Sequence, residues 1–144
     1  MTDRTERHAG CLCGQVRIAA AGEPLRRSLC HCLDCRKSHG APFVAFTIFP
    51  RDAVTVTGET RAHVTDTGYA RHSCAACGSP VFAAEARYNE IELYSGSFDE
   101  TSIFAPTYEL WTVRRENWLG PMPTLERHFE RDRPSPDEDG ALPG

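Results

Sequence analysis

Leu29-Cys-His-Cys-Leu-Asp-Cys-Arg-Lys-Ser-His-Gly40 sets Cys30, Cys32 and Cys35 around one histidine and runs directly into basic residues. Three thiols cannot pair among themselves, and a closed zinc site takes four ligands. The stretch is therefore half of a larger site, a redox centre, or a metal site with one position left open. The other four of the seven cysteines, Cys11, Cys13, Cys74 and Cys77, decide between these readings.

Ser73-Cys-Ala-Ala-Cys-Gly78 has the spacing of a zinc knuckle. Two thiolates separated by two residues can share one tetrahedral ion, and Gly78 permits the positive φ that turns backbone N–H groups toward sulfur. Gly10-Cys-Leu-Cys-Gly14 is a tighter clip with Gly14 in the corresponding place. One partition joins Cys32 and Cys35 with Cys74 and Cys77 and strands Cys11, Cys13 and Cys30. The other joins the two glycine-flanked clips into a closed site and leaves Cys30, Cys32 and Cys35 as an open one. The second uses every cysteine and is preferred. His31 could close the trio instead, but its neighbours on both sides are ligands, so in an extended segment its side chain points the other way.

Knuckles sit at strand ends, and the chain between them reads as short strands. Alternation or β-branched and aromatic runs mark 15–20, 43–49, 53–57, 69–73, 79–83, 90–94 and 108–113, punctuated by glycine and proline. Helical signals are few: a turn or short helix after Cys32, one at 100–104, and one over 124–131 with Thr124 as N-cap. A mainly β domain with zinc knuckles and few short helices follows. Residues 1–9 read as a flexible arm, 10–130 as the zinc-binding domain, and 131–144 as a disordered acidic, proline-rich tail.

At 144 residues the chain can bury a core, and its net charge of −4 disfavours nucleic acid or an anionic membrane as partner. No run approaches the ~18 apolar residues of a membrane span, and the first ten residues lack the apolar core of a secretory signal. The expectation is a cytoplasmic protein whose thiols stay reduced, which favours metal over disulfides.

The residues also carry a resemblance. Gly10-Cys-Leu-Cys-Gly-Gln-Val16, Cys30-His-Cys-Leu-Asp-Cys-Arg-Lys-Ser-His-Gly-Ala-Pro-Phe43, Cys74-Ala-Ala-Cys-Gly-Ser-Pro-Val-Phe82, Ser95-Gly-Ser-Phe-Asp99 and Trp118 follow one another in order. In these the chain resembles the glutathione-dependent formaldehyde-activating family, which also includes centromere protein V. The resemblance covers roughly residues 10–120. It implies a β-tent of folded antiparallel sheets, a structural zinc on Cys11, Cys13, Cys74 and Cys77, and a second, labile zinc on Cys30, Cys32 and Cys35 near which glutathione binds. Many members carry a histidine soon after the proline that follows the Ser95–Asp99 segment, whereas Pro106-Thr-Tyr-Glu-Leu-Trp111 offers Glu109.

The chemistry expected of such a chain is lyase-type joining of a thiol such as glutathione to formaldehyde or a related carbonyl electrophile. Three thiolates make zinc a weak generator of hydroxide and a good host for a soft thiolate. Cys30, Cys32 and Cys35 are then the catalytic set; Arg36 and Lys37 are either partners for substrate carboxylates or solvated surface charges, and His39 is either a proton carrier or a structural or exposed histidine of a turn. Phe43, Phe46, Phe82, Trp111 and Trp118 are core or pocket wall, with core preferred. A zinc-stabilised structural or binding protein is the first rival reading. A thiol redox enzyme, such as a methionine sulfoxide reductase, is the second, and it needs a cysteine outside the metal sites. The His128-Phe-Glu130 triplet lacks the Pro-Cys-x-x-Cys partner of a zinc deaminase, and a nucleic-acid-binding zinc protein would need a basic balance and finger spacing.

Overall fold

The computed structural model describes residues 5–120 and 122–134. In chain order its elements are β1 (Glu6–Gly10), β2 (Arg17–Ala21), β3 (Arg26–Cys30), α1 (Leu33–His39), β4 (Val44–Pro50), β5 (Val54–Thr57), β6 (Thr60–Val64), β7 (Tyr69–Cys74), β8 (Pro80–Glu85), β9 (Glu90–Tyr94), β10 (Tyr108–Leu110) and β11 (Arg127–His128). The fold is mainly β, with one short α-helix among the described residues. Its contacts group into two compact units. One contains the described residues up to Leu25 and Thr47–Ile103; the other contains Arg26–Phe46 and the described residues from Phe104 on.

In the first unit, β2 lies between β1 and β5 in an antiparallel sheet, with Ala9 opposite Ile18 and Ile18 opposite Val56. The alternation that marks residues 15–20 is the burial pattern: Val16, Ile18 and Ala20 face inward and are buried, while Arg17 points out to Asp99. β6 to β9 form an antiparallel meander, with a register irregularity between His72 and Ser73 just before the Cys74 turn. Gly58 leaves β5 at φ +99°, and a Cβ there would stand 2.1 Å from the Gln15 carbonyl oxygen, so only glycine fits this turn.

In the second unit, β10 runs parallel to β3, pairing Tyr108 with Ser28 and Leu110 with Cys30, and β11 runs parallel to β10. Helix α1 begins with Cys32 as N-cap and ends at Gly40 in the left-handed region.

Several local expectations are corrected. Residues 6–9, read as part of a flexible arm, belong to β1, where polar Glu6, Arg7 and His8 are held by backbone pairing with Ala21, Ala20 and Ala19. No helix forms over 124–131; the Glu126 and Phe129 amides bond to the Thr107 and Glu109 carbonyls and draw the chain into β11. Residues 100–104 contain bends rather than a helix. The strand from Tyr108 stops at Leu110 because Trp111 turns at φ 58°. Of the tail expected over 131–144, Arg131 and Asp132 bond to Trp111, and 135–144 lie outside the described residues.

Candidate metal centres

Two turns build the first cluster. Cys11 and Cys13 lie between β1 and β2, and Cys74 and Cys77 between β7 and β8. Gly14 and Gly78 take φ +84° and +79° at the turns' ends, so their amides close back on the Cys11 and Cys74 carbonyls. That geometry turns donors onto sulfur: the Val16 amide reaches Cys11 Sγ at 3.2 Å, and the Ala76 and Cys77 amides reach Cys74 Sγ at 3.4 Å. The Ser79 hydroxyl ties the turns together, accepting from the Leu12 amide at 3.1 Å and contacting Cys77 Sγ at 3.1 Å.

The four sulfurs all lie within 4.8 Å of one another, with Cys11–Cys13 at 3.6 Å and Cys13–Cys74 at 3.8 Å. A disulfide would need ~2.05 Å. A tetrahedron of sulfurs about 2.3 Å from zinc has edges of about 3.8 Å, so this donor set fits a closed zinc site in spacing and chemistry. Four thiols this close cannot ionise together without a cation. The Ser79 hydroxyl and amide help hold Cys77 down to about 5. The Gln15 amide draws Cys13 downward, but burial and the adjacent sulfurs push it up to about 11.

The second cluster is local in sequence. Cys30 ends β3, Cys32 caps α1, and Cys35 lies in its first turn, with the three sulfurs within 4.8 Å of one another. The Cys35 amide donates to Cys32 Sγ at 3.3 Å. Cys30 and Cys35 are buried, whereas Cys32 is partly exposed, which gives the trio one accessible side. The sulfhydryls of Cys30 and Cys35 hold Cys32 down to about 2, Cys32 is foremost in pushing Cys30 up to about 12, and Cys30 and Cys32 raise Cys35. Three sulfurs this close oppose one another's ionisation, and a zinc ion fits such a donor set with one position free.

His31 is not part of the sulfur cluster. It is completely buried, and its Nε2 lies 2.8 Å from Glu109 Oε1. Glu109 is itself 3% exposed and also receives Arg115 Nη2 and His128 Nδ1, each at 2.5 Å on Oε2. Burial opposes its charge, but the hydrogen bonds from His128, His31 and Arg115 outweigh that and hold the carboxyl below its ordinary range. His31 Nδ1 has no hydrogen-bond partner among the described residues. Sequence reasoning singled out Glu109 but not this network, whose only local signal is a carboxylate inside a strand pattern.

The remaining candidates are placed as follows. Arg36 donates to Glu116 at 2.5 Å and to the Pro42 carbonyl at 3.1 Å, so its guanidinium is already engaged. Lys37 is exposed on α1, and His39 Nδ1 lies 3.1 Å from the Cys35 carbonyl oxygen. Phe46 and Phe82 are core, whereas Trp118 is 66% exposed and corrects the expectation of burial.

Comparison with known proteins follows the same lines. The family model described as glutathione-dependent formaldehyde-activating enzyme matches residues 6–114. A Schizosaccharomyces pombe protein named "Uncharacterized lyase" is 28% identical over 55% of this chain and 58% of its own length. A Fusarium vanettenii protein named "Putative glutathione-dependent formaldehyde-activating enzyme" is 31% identical over 47% of this chain. The match spans only 38% of that relative's length. A Rhodobacter sphaeroides protein of solved crystal structure shares the fold with a TM-score of 0.54 at 16% identity, covering 85% of this chain and 98% of that one.

Proposed function

The chain belongs to the glutathione-dependent formaldehyde-activating enzyme family, and from that premise we propose that it joins a thiol such as glutathione to formaldehyde or a related carbonyl electrophile. The observation that carries this reading is the convergence of Cys30, Cys32 and Cys35 within 4.8 Å, with Cys32 on an accessible side. Cys11, Cys13, Cys74 and Cys77 would hold a structural zinc, and Cys30, Cys32 and Cys35 a second, exchangeable one. Zinc on three thiolates, with formal charge −1, would supply activation of an incoming thiol, whose own proton is otherwise held at neutral pH by a pKa of ~8.5.

The rest falls to the chain. The thiol sulfur bonds to the carbonyl carbon, the C=O π pair moves to oxygen, and the proton released by the thiol ends on that oxygen, so the balance is one thiol plus one aldehyde to one hydroxyalkyl thioether. Lys37, exposed on α1 beyond Cys32, is the cation proposed to pair with a substrate carboxylate. Arg36 is less suited, because Glu116 and Pro42 occupy it. His39, whose Nδ1 is engaged by the backbone, is the proton-transfer candidate on the same helix. Placement of all seven cysteines in two clusters speaks for this reading over thiol redox chemistry, which needs a free nucleophile. No helix of the described residues is long and apolar enough to cross a membrane, and we take the site of action to be the cytoplasm.

Cobalt substitution tests the reading. Two ions per chain and a thiolate-to-metal band that grows and saturates with glutathione are expected. Two ions with no spectral response to glutathione would leave a zinc-stabilised structural protein, and one ion would return the trio to redox chemistry.

A further inference from the structure

We propose that Glu109 and Glu116 are positioning residues that clamp the three-cysteine segment from both ends, through His31 and Arg36. His31 stands between Cys30 and Cys32, and Arg36 follows Cys35, so each anchor is one residue from a sulfur. His31 is fixed twice: its amide donates to the Leu110 carbonyl at 3.0 Å and its ring bonds to Glu109 at 2.8 Å. Arg36 is fixed by Glu116 at 2.5 Å.

The two carboxylates flank one short turn, Glu109 in β10 before it and Glu116 just after it. Trp111 takes φ 58°, an uncommon conformation for a bulky residue, and sends the chain back so that Arg115 meets Glu109 and Glu116 meets Arg36. Trp111 is held there by hydrogen bonds of its amide to the Arg131 carbonyl and its indole N–H to Asp132 at 2.8 Å. Strain of this kind persists only where surroundings over-determine it. A turn held this firmly fixes Glu116 relative to Glu109, so that one carboxylate reaches His31 and the other Arg36 and the trio is held in place from both sides. Groups that bond directly to a metal's ligands are worth about 10–100-fold in metal affinity, and these two carboxylates hold the residues next to the ligands.

This inference rests on the trio being a metal centre, and the four-cysteine cluster supplies an internal control. Zinc-loaded full-length wild type, E109Q and E116Q are titrated with a chromophoric chelator, with cobalt spectra and thermal unfolding recorded alongside. Glutamine keeps the shape of either residue but removes the charge. The expected result is loss of the weaker ion at about tenfold or more lower chelator concentration in either variant, with the tighter ion unmoved. Both ions leaving as in wild type, or both weakening together with the fold, would overturn the clamp. Should E109Q fail to fold, E116Q decides alone, because its pair is part-exposed. A wild type that binds a single ion would overturn the functional reading and the clamp together, whereas two ions with unchanged variants removes only the clamp.

Discussion

Cys13 and Cys74 are 61 positions apart in the chain, and their sulfurs stand 3.8 Å apart. Each belongs to a turn that its own glycine and amides already shape, so an ion at this place joins two preformed pieces rather than folding a disordered one. Binding free energy there is folding free energy. Cys74→Ser is expected to lower Tm by about 10 °C or more and to abolish the tighter of two metal-binding phases, measured by calorimetry and chelator titration.

Cys30→Ser should behave differently. The trio is local in sequence, at the end of β3 and the start of α1, and it bridges no distant turns. The variant is expected to keep the tight ion and a cooperative unfolding transition, while the cobalt response to glutathione disappears. Loss of both ions would show that the two clusters are not independent.

Acid sensitivity follows from Glu109. Its folded-state pKa lies below the ordinary value of 4.5, so the unfolded chain takes up the proton first as pH falls. The stability this carboxylate contributes is complete above about pH 4.5 and fades as pH drops through the depressed folded value. Urea unfolding of wild type and Glu109→Gln across pH 3–7 checks it. The gap between the two is expected to be constant above about pH 5 and to close below; a gap that widens in acid would contradict the assignment.

Two glycines make a paired test of backbone demands. Gly58→Ala places a Cβ 2.1 Å from the Gln15 carbonyl oxygen, and a cost of about 2 kcal/mol or more is expected. Gly68→Ala, at φ +89° with nothing within 4 Å, carries only the conformational cost, about 1–2 kcal/mol. Denaturant midpoints of the two variants give the comparison directly.

The strands visible in the sequence were those whose side chains alternate against a core, such as β2 and β9, where Ile18, Ile91 and Leu93 are buried. β1, β3 and β6 lack that signature. Arg26-Arg-Ser-Leu-Cys30 begins with two arginines, and β6 exposes four of its five residues, so their strand state comes from partners rather than from their own pattern. Leu125 and the residues around it have helix-forming character, but the Glu126 and Phe129 amides bond to the Thr107 and Glu109 carbonyls, and that pairing wins. The cysteine clips and the trio are legible because their ligand spacing is a local requirement, whereas the joining of Cys11 and Cys13 to Cys74 and Cys77 spans some sixty positions and leaves two partitions open. The His31–Glu109 contact spans 78 positions, and nothing in either stretch alone requires it.

The parallel pairing of β3 with β10 also sets an order of birth. Arg27 and Thr107 lie 80 positions apart, so at about 5–20 residues per second a ribosome makes the Cys30 strand roughly 4–16 s before its neighbour. Cys77 emerges well within that interval, which lets the closed cluster gather its last sulfur while the trio is still unframed. The trio, complete by residue 35, thus passes its first seconds without the Glu109 and Glu116 carboxylates that hold it in the finished fold.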